Sequence, residues 1–173
     1  MKQLMKWLML AGGVLLLNVY ANAQQLTNVY LTQQGKAAYL ISVPPLLVVL
    51  SDSGKISEIK TAASGTIVYN TVQQIEQIGE VKIGFNYQGQ INRIGNSTLL
   101  YDFNGRVDRI GDLNFRYNYQ QLLVSVGDQG IRYNPDQTID QFGRYRIMYN
   151  YNKQVQKIDD SNGLIILQLK YHK

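Results

Sequence analysis

Residues 107–122 read VDRIGDLNFRYNYQQL, and this stretch decides the fold because close copies of it stand on both sides. The preceding copies are INRIGNSTLLYDFNGR at 91–106 and IEQIGEVKIGFNYQGQ at 75–90. The following copies are LVSVGDQGIRYNPDQT at 123–138, IDQFGRYRIMYNYNKQ at 139–154 and VQKIDDSNGLIILQLK at 155–170. A fixed sixteen-residue period predicts a fold that repeats one small structural unit.

Each unit contains signals for two turns and two short strands. The first turn is Asp102-Phe103-Asn104-Gly105, where an Asx residue at the first position and glycine at the fourth favour a β-turn. The second is Gly111-Asp112, a two-residue loop with glycine first, which is typical of a primed hairpin turn. Two strands of about five residues and these two turns fill one repeat. The unit therefore predicts an antiparallel meander of hairpins.

Alternation along the strands predicts which side chains form the core. Ile110, Phe115 and Tyr117 fall on one face, whereas Arg109 and Arg116 fall on the other. The same core face is predicted for Ile94, Leu99, Tyr101, Val126, Ile131, Tyr133, Phe142, Ile147 and Tyr149, and the same outer face for Arg93, Asn114, Arg132, Arg146 and Lys157. Val107 is an apolar exception on the outer face, and a β-bulge near the turn is one way to bring it inward.

The same turn recurs nearer the N-terminus at longer intervals. Gly35, Gly54 and Gln73 occupy its fourth position at a spacing of nineteen residues. We expect about three extra residues in each of these copies, within SVPPL at 42–46 and TAASG at 61–65. The sequence thus predicts irregular repeats over about 31–73, regular repeats over 75–160, and a capping strand at about 163–171, where LIILQL breaks the turn pattern.

The predicted fold class is all-β: an antiparallel meander of tandem hairpin repeats that forms a curled sheet, a spiral or a closed barrel-like sheet. Residues 24–173 are assigned to a single β-hairpin-repeat domain, preceded by a signal peptide at 1–23. Lys2 and Lys6 form the positive start of that leader, and an apolar run follows. Ala21-Asn22-Ala23 supplies the small residues of a cleavage site. We therefore expect an exported protein, periplasmic or at the cell surface.

Composition excludes several function classes. The chain has no cysteine, so disulfides, thiolate chemistry and Cys-based zinc sites are ruled out. The single histidine is His172, which argues against histidine triads and His-rich metal sites. A formal net charge of +5, partly carried by the leader, is too small for a nucleic-acid partner to be expected. Short strands with an arginine-bearing outer face also predict no membrane span once the leader is removed.

One copy of the repeat matches a known motif. Residues 101–107, YDFNGRV, match the Tyr-Asp-x-x-Gly-Arg-Leu/Val core of YD repeats, and the likeness extends over most of residues 66–160. The chain thus resembles Rhs-type and teneurin-like repeat proteins, although its period is shorter and it is too short to build their large shells. The copies at Tyr117, Tyr133 and Tyr149 keep the aromatic and the Asx residue but lack Gly-Arg. The resemblance implies an exported all-β hairpin repeat and does not carry over an encapsulation role.

Two aromatic columns run through the repeats. The strand column, Tyr69, Phe85, Tyr101, Tyr117, Tyr133 and Tyr149, is predicted to form a core ladder. The turn column, Tyr87, Phe103, Tyr119 and Tyr151, occupies the second position of the four-residue turn. There the rings either fold back over the sheet edge and cap the core, or stand in water where they can stack on a polymeric glycan.

The function that these patterns predict is non-enzymatic. No catalytic, cofactor-binding or metal-binding constellation is predicted, and the Asx residues at the turns are expected to cap their own turns. The expected role is that of an exported bacterial scaffold whose partner is an unknown protein or a cell-surface glycan. The alternative is a carbohydrate-binding module that uses the turn aromatics. Arg109, Arg116 and Arg132 are further candidate ligand-binding residues, and homo-oligomers through unpaired sheet edges are possible.

Overall fold

The computed structural model describes residues 24–61 and 65–169. Within these ranges the chain is all-β and contains no helix, which confirms the predicted fold class. The signal peptide predicted at 1–23 lies outside the described residues. In the part of the chain that the structure describes, there is accordingly no apolar helix of a length that could cross a membrane.

The strands form two sheets. The five-stranded sheet has the order β17-β1-β2-β3-β4 and the twelve-stranded sheet runs from β16 to β5 in unbroken sequence order. The first sheet contains β1 (Gln25–Thr32), β2 (Ala37–Val43), β3 (Leu46–Ser51), β4 (Ile56–Thr61) and β17 (Ile165–Gln168). The second contains β5 (Ile67–Tyr69), β6 (Ile75–Ile78), β7 (Val81–Phe85), β8 (Ile91–Ile94), β9 (Ser97–Tyr101), β10 (Val107–Ile110), β11 (Leu113–Tyr117), β12 (Leu123–Val126), β13 (Gln129–Tyr133), β14 (Ile139–Phe142), β15 (Tyr145–Tyr149) and β16 (Val155–Asp159).

The first four strands of the irregular repeats belong to the five-stranded sheet, whereas β5, the last strand of that region, joins the regular repeats. Strands β1 to β4 pair among themselves, and the terminal strand β17 joins them by pairing in parallel with β1. The extra residues expected at 42–46 lengthen β2 and β3 and leave only Pro44-Pro45 as the turn. Longer strands give the first sheet a wider apolar face. For 61–65, only Thr61 and Gly65 are described.

Both turns of the regular repeat have the backbone that their sequence predicts. The glycine of each two-residue loop, such as Gly111, has a positive φ near +54°, and the residue after it has no positive φ. This is the pattern of a type II′ turn. In the four-residue turn the amide of Gly105 donates to the carbonyl of Asp102, and Gly105 itself has φ of +73°. A type I turn followed by a left-handed residue produces a bulge where the next strand begins.

That bulge explains why the side chain of Val107 is buried. The register of β9 and β10 shifts between Val107 and Arg109, and the side chain of Val107 is fully buried. The core face predicted for Ile110 and its equivalents is also confirmed, since those side chains are buried or packed on the core. Arg109 and Arg116 are exposed on the opposite face. The repeat therefore buries one apolar residue more than simple alternation allows.

The buried faces of the two sheets meet in one core. Tyr39 on β2 packs against Phe142 on β14 with a ring centroid separation of 6.1 Å. Backbone hydrogen bonds also join the sheets, because amides at the bulges donate to carbonyls in the turns of the five-stranded sheet. These bonds run from Val107 to Gly54 (2.9 Å), from Leu123 to Asp52 (3.2 Å), from Ile139 to Gly35 (3.4 Å) and from Val155 to Gln33 (2.8 Å).

The strand tyrosines add hydrogen bonds within the hairpins of the large sheet. The hydroxyl of Tyr117 on β11 donates to the carbonyl of Val107, ten residues earlier on the neighbouring strand β10. Tyr101, Tyr133 and Tyr149 make the same bond to Ile91, Leu123 and Ile139 at 2.6–2.7 Å. Tyr69 was expected in this ladder and is instead 54% exposed, because its strand β5 is the edge of the sheet.

Candidate functional site

The turn aromatics stand in water. Tyr87, Phe103, Tyr119 and Tyr151 are 95%, 96%, 92% and 100% exposed, respectively. Of the two alternatives that the sequence leaves open, the rings therefore do not fold back over the sheet edge to cap the core. We call the row of four-residue turns that carries them the turn rim; its turns are 70–73, 86–89, 102–105, 118–121, 134–137 and 150–153.

The turn is held without any help from the ring. In the turn that carries Tyr87, Oδ1 of Asn86 accepts hydrogen bonds from the amides of Gln88 and Gln90 at 3.0 and 2.9 Å. Asp102 makes the corresponding bonds to Asn104 and Arg106. The expectation that these Asx residues cap their own turns is thus confirmed, and the second turn position is left to project outward.

Between the rings of Tyr87 and Phe103 lies a shallow groove of about 670 Å³. The side-chain amides of Gln88, Asn92 and Asn104 line it, and no hydrogen bond engages them within the described chain. Amides that lie beside exposed aromatic rings are the groups that bind sugars, through hydrogen bonds to hydroxyls and stacking on the apolar ring face. The groove therefore offers both kinds of contact in one place.

The repeat sets the spacing of the rings along the rim. Successive turns are two strands apart, so neighbouring rings are separated by ~10 Å at ~4.8 Å per strand. That interval is comparable to the length of a disaccharide unit in an extended glycan. The run Tyr87, Phe103 and Tyr119 occupies three successive turns, Pro135 takes the next, and Tyr151 follows.

The candidate arginines lie elsewhere. Their side chains are exposed on the outer face of the large sheet, within the strands and not on the turns. The three residues are Arg109, Arg116 and Arg132. Arg132 is also paired, since its Nε lies 2.5 Å from Oδ2 of Asp140. The structure thus brings the turn aromatics into one row and leaves the arginines on a separate surface.

Sequence reasoning did not single out Arg106, which is buried beside the turn rim. Its guanidinium pairs with Asp102 through Nε at 2.7 Å and lies 4.1 Å from the ring centre of Tyr117 in the next repeat. Partial burial acts to raise the pKa of Asp102, but the hydrogen bonds and charge of Arg106 outweigh it and hold that pKa below its usual value. The signal was present in the sequence, as a carboxylate four residues before an arginine across one turn.

Hydrogen bonds from Thr138 lower the pKa of the exposed Asp136, and several buried tyrosines have a raised pKa. Burial raises the pKa of Tyr101, Tyr133 and Tyr149 to about 12, and it also raises the pKa of Tyr39 and Tyr117. These hydroxyls are hydrogen-bonded donors that stabilise the fold. Over residues 24–61 and 65–169, His, Cys, Asp and Glu form no group of three that could hold a metal ion.

No protein-family model matches the chain, and no curated protein matches it.

Proposed function

We propose that this chain is an exported, non-enzymatic binding protein whose turn rim holds an extended polysaccharide. The sheet is the scaffold, and Tyr87, Phe103 and Tyr119 are the stacking platforms. The observation that carries the proposal is the near-complete exposure of these rings at a position that the fold leaves free. Tyr151, beyond Pro135, provides a fourth platform on the same rim.

The rings are dispensable for the fold, which supports a role in binding. Thr71 and Pro135 occupy the same turn position as the aromatics, and their turns keep the same hydrogen bond between first and fourth residues. Placing a large apolar side chain fully in water gains nothing from burial. A row of such residues on one rim is explained by a ligand that covers them.

The chemistry of the rim favours a neutral, hydroxyl-rich ligand. The one carboxylate beside the groove, Asp102, is already neutralised by Arg106, so the lining presents mainly amides and rings. A charged polymer would instead favour the arginine-bearing outer face. An extended glycan fits the ~10 Å interval between rings set by the strand spacing. The predicted leader and the likeness to YD repeats both support a place outside the cytoplasm, where such polymers occur.

The test is binding of purified protein to a panel of glycans, soluble and insoluble. The wild type is expected to retain one class of extended glycan, and the triple variant Tyr87→Ala, Phe103→Ala, Tyr119→Ala is expected to lose it. Each stacked ring contributes ~1 kcal/mol, so we expect the triple loss to exceed a hundredfold. The matched control is Met148→Ala with Ile166→Ala, which removes exposed apolar side chains that do not line the groove. Equal loss in the control, or no glycan bound by the wild type, would refute the proposal.

A further inference from the structure

The two edges of the twelve-stranded sheet expose residues that are buried in every interior repeat. In each interior repeat, the strand after the glycine loop buries the residue two positions before its end. These residues are 1–7% exposed: Ile83, Leu99, Phe115, Ile131 and Ile147. Their equivalent on the edge strand β5, Ile67, is 44% exposed. At the opposite edge, Ile158 on β16 is only partly buried, whereas Ile78, Ile94, Ile110, Val126 and Phe142 are buried. Each edge therefore lacks the neighbour that the repeat provides elsewhere.

The tyrosine ladder is also incomplete at the same two edges, in a complementary way. Each ladder hydroxyl reaches the carbonyl ten residues earlier, so the series of acceptors Ile91, Val107, Leu123 and Ile139 would continue at Val155. Residue 165, ten after Val155, is an isoleucine that pairs in the other sheet. At the other edge the hydroxyl of Tyr69 forms no hydrogen bond within the described chain. At one edge the Val155 carbonyl receives no tyrosine hydroxyl of the described chain, and at the other a tyrosine hydroxyl has no acceptor in it.

The edges also match as strand types. Each interior repeat has one strand before its glycine loop and one strand after it. Strand β16 occupies the first of these positions and β5 the second, and within the described chain neither has a partner strand across the loop. In the interior, Ile78 pairs with Val81 and Gln77 with Lys82. The same register would pair Ile158 with Gly65 and Lys157 with Thr66, and would bring Tyr69 towards the carbonyl of Val155.

We propose that the occupant of these edges is a second copy of this chain, added head to tail so that β5 of one copy continues the sheet beyond β16 of another. A contact between two different patches of the same chain is heterologous and generates open chains of molecules unless it closes into a ring. The turn rim would run on from copy to copy. The edge strand β4 carries Glu58 and Lys60, charges of the kind that protect edges from pairing, whereas β5 carries no charged residue.

The experiment is sedimentation velocity of the purified protein over a wide range of concentrations. A contact between two short strands is smaller than the ~1,200 Å² of stable interfaces, so we expect weak, reversible association into dimers and longer species. Ile67→Arg and Ile158→Arg should each abolish it. Met148→Arg is the matched control, because Met148 is also 44% exposed but lies on the outer face of β15, and it should associate as the wild type does.

Mixing the two edge variants distinguishes the head-to-tail contact from a symmetric one. Ile67→Arg keeps an intact β16 edge and Ile158→Arg keeps an intact β5 edge, so an equimolar mixture should form dimers and nothing larger. Pairing of β5 with β5 would instead leave Ile158→Arg able to dimerise alone, which would overturn the proposal.

Tyr69→Phe is a milder change that tests the same contact even if an arginine variant fails to fold. It removes one exposed hydroxyl and should weaken association by roughly two- to tenfold, as expected for one net hydrogen bond. A wild-type protein that stays monomeric at every concentration, or unchanged association in Tyr69→Phe, would overturn the proposal.

Discussion

The hydroxyl of Tyr117 donates a 2.6 Å hydrogen bond to the carbonyl oxygen of Val107, whose own amide donates to the carbonyl of Gly54. The backbone of one residue at a bulge thus joins a neighbouring strand of the large sheet to a turn of the small one. A buried carbonyl without a partner costs about 1–3 kcal/mol, so this arrangement holds the two sheets in register.

Removing the Tyr117 hydroxyl tests this link. Tyr117→Phe should lower the free energy of unfolding by about 1–3 kcal/mol, because the Val107 carbonyl loses its hydroxyl donor while the ring still fills its site. Tyr119→Phe is the control, since that ring is exposed on the turn rim and its change should have almost no effect. Urea denaturation of both variants gives the comparison. Equal stability of the two would mean that the ladder bond does not stabilise the fold.

Gly54 should be irreplaceable for two separate reasons. Its φ of +73° is a left-handed conformation, and a Cβ there would overlap the Tyr117 hydroxyl. We expect Gly54→Ala to lower stability by about 3 kcal/mol or more, from backbone strain and overpacking together. Gly89→Ala isolates the backbone strain, because Gly89 also has a left-handed φ of +77° but an added Cβ would lie an ordinary 3.4 Å from its nearest atom. We expect this variant to lose about 1–2 kcal/mol of stability. Thermal or urea unfolding distinguishes the two, and similar losses would contradict the packing of Tyr117 on Gly54.

The Asp102–Arg106 pair should make stability depend on acid pH. Asp102→Asn keeps a turn-capping side chain, as Asn118 shows in the next repeat, but removes the charge. We expect a loss of about 1.5–3 kcal/mol at neutral pH for a charge-assisted bond. Because the folded pKa of Asp102 lies below its ordinary 3.8, this contribution is present above pH 3.8 and is lost as the pH falls further.

Urea midpoints of wild type and Asp102→Asn should therefore converge below that pH. Asn118→Asp is the control, because Leu122 stands where Arg106 would be needed, so the new carboxylate should add no stability. A gap between wild type and Asp102→Asn that is the same at pH 3 and pH 7 would show that the ion pair does not stabilise the fold.

The buried tyrosines predict a second pH limit at the alkaline end. The folded protein raises the pKa of Tyr101, Tyr133 and Tyr149 from 10.0 to about 12. Their stabilisation is complete below pH 10 and is lost as the pH rises towards 12, because the unfolded chain releases these protons first. Urea midpoints should fall over that interval, in step with tyrosinate absorbance. The variant with all three changed to phenylalanine should fall less steeply, and an identical fall would assign the effect to other groups.

Much of the fold is predictable because its signals are local. Alternation of apolar residues identifies the faces, and the Asx and glycine positions identify the turns, so the strands β6 to β16 follow from the repeat alone. The separation of the early strands into a second sheet does not. It depends on contacts such as that between Val107 and Gly54, which are far apart in the chain and appear in no local pattern.

The candidate site, like the fold, could be predicted only in part from the sequence. The sequence predicts that Tyr87 and its equivalents occupy one turn position, but a ring at that position could pack back or stand free, and only the three-dimensional path of the turn decides this. Tyr69 shows a second limit of prediction from sequence. Side chains of its column pack on the core in the interior repeats, but Tyr69 itself is exposed because its strand lies at the sheet edge. Which copy of a repeat lies at an edge is a property of the whole sheet.

The measurement that tests the central claim most directly is calorimetric titration with a length series of the glycan that the panel identifies. If one chain spans several rings of the turn rim, affinity should rise as the oligosaccharide becomes long enough to reach from Tyr87 to Phe103, and again when it reaches Tyr119. Replacing Phe103 with alanine should remove the gain from length while leaving short fragments bound. Affinity that does not change with length, or that is unaffected by loss of the three rings, would contradict the account.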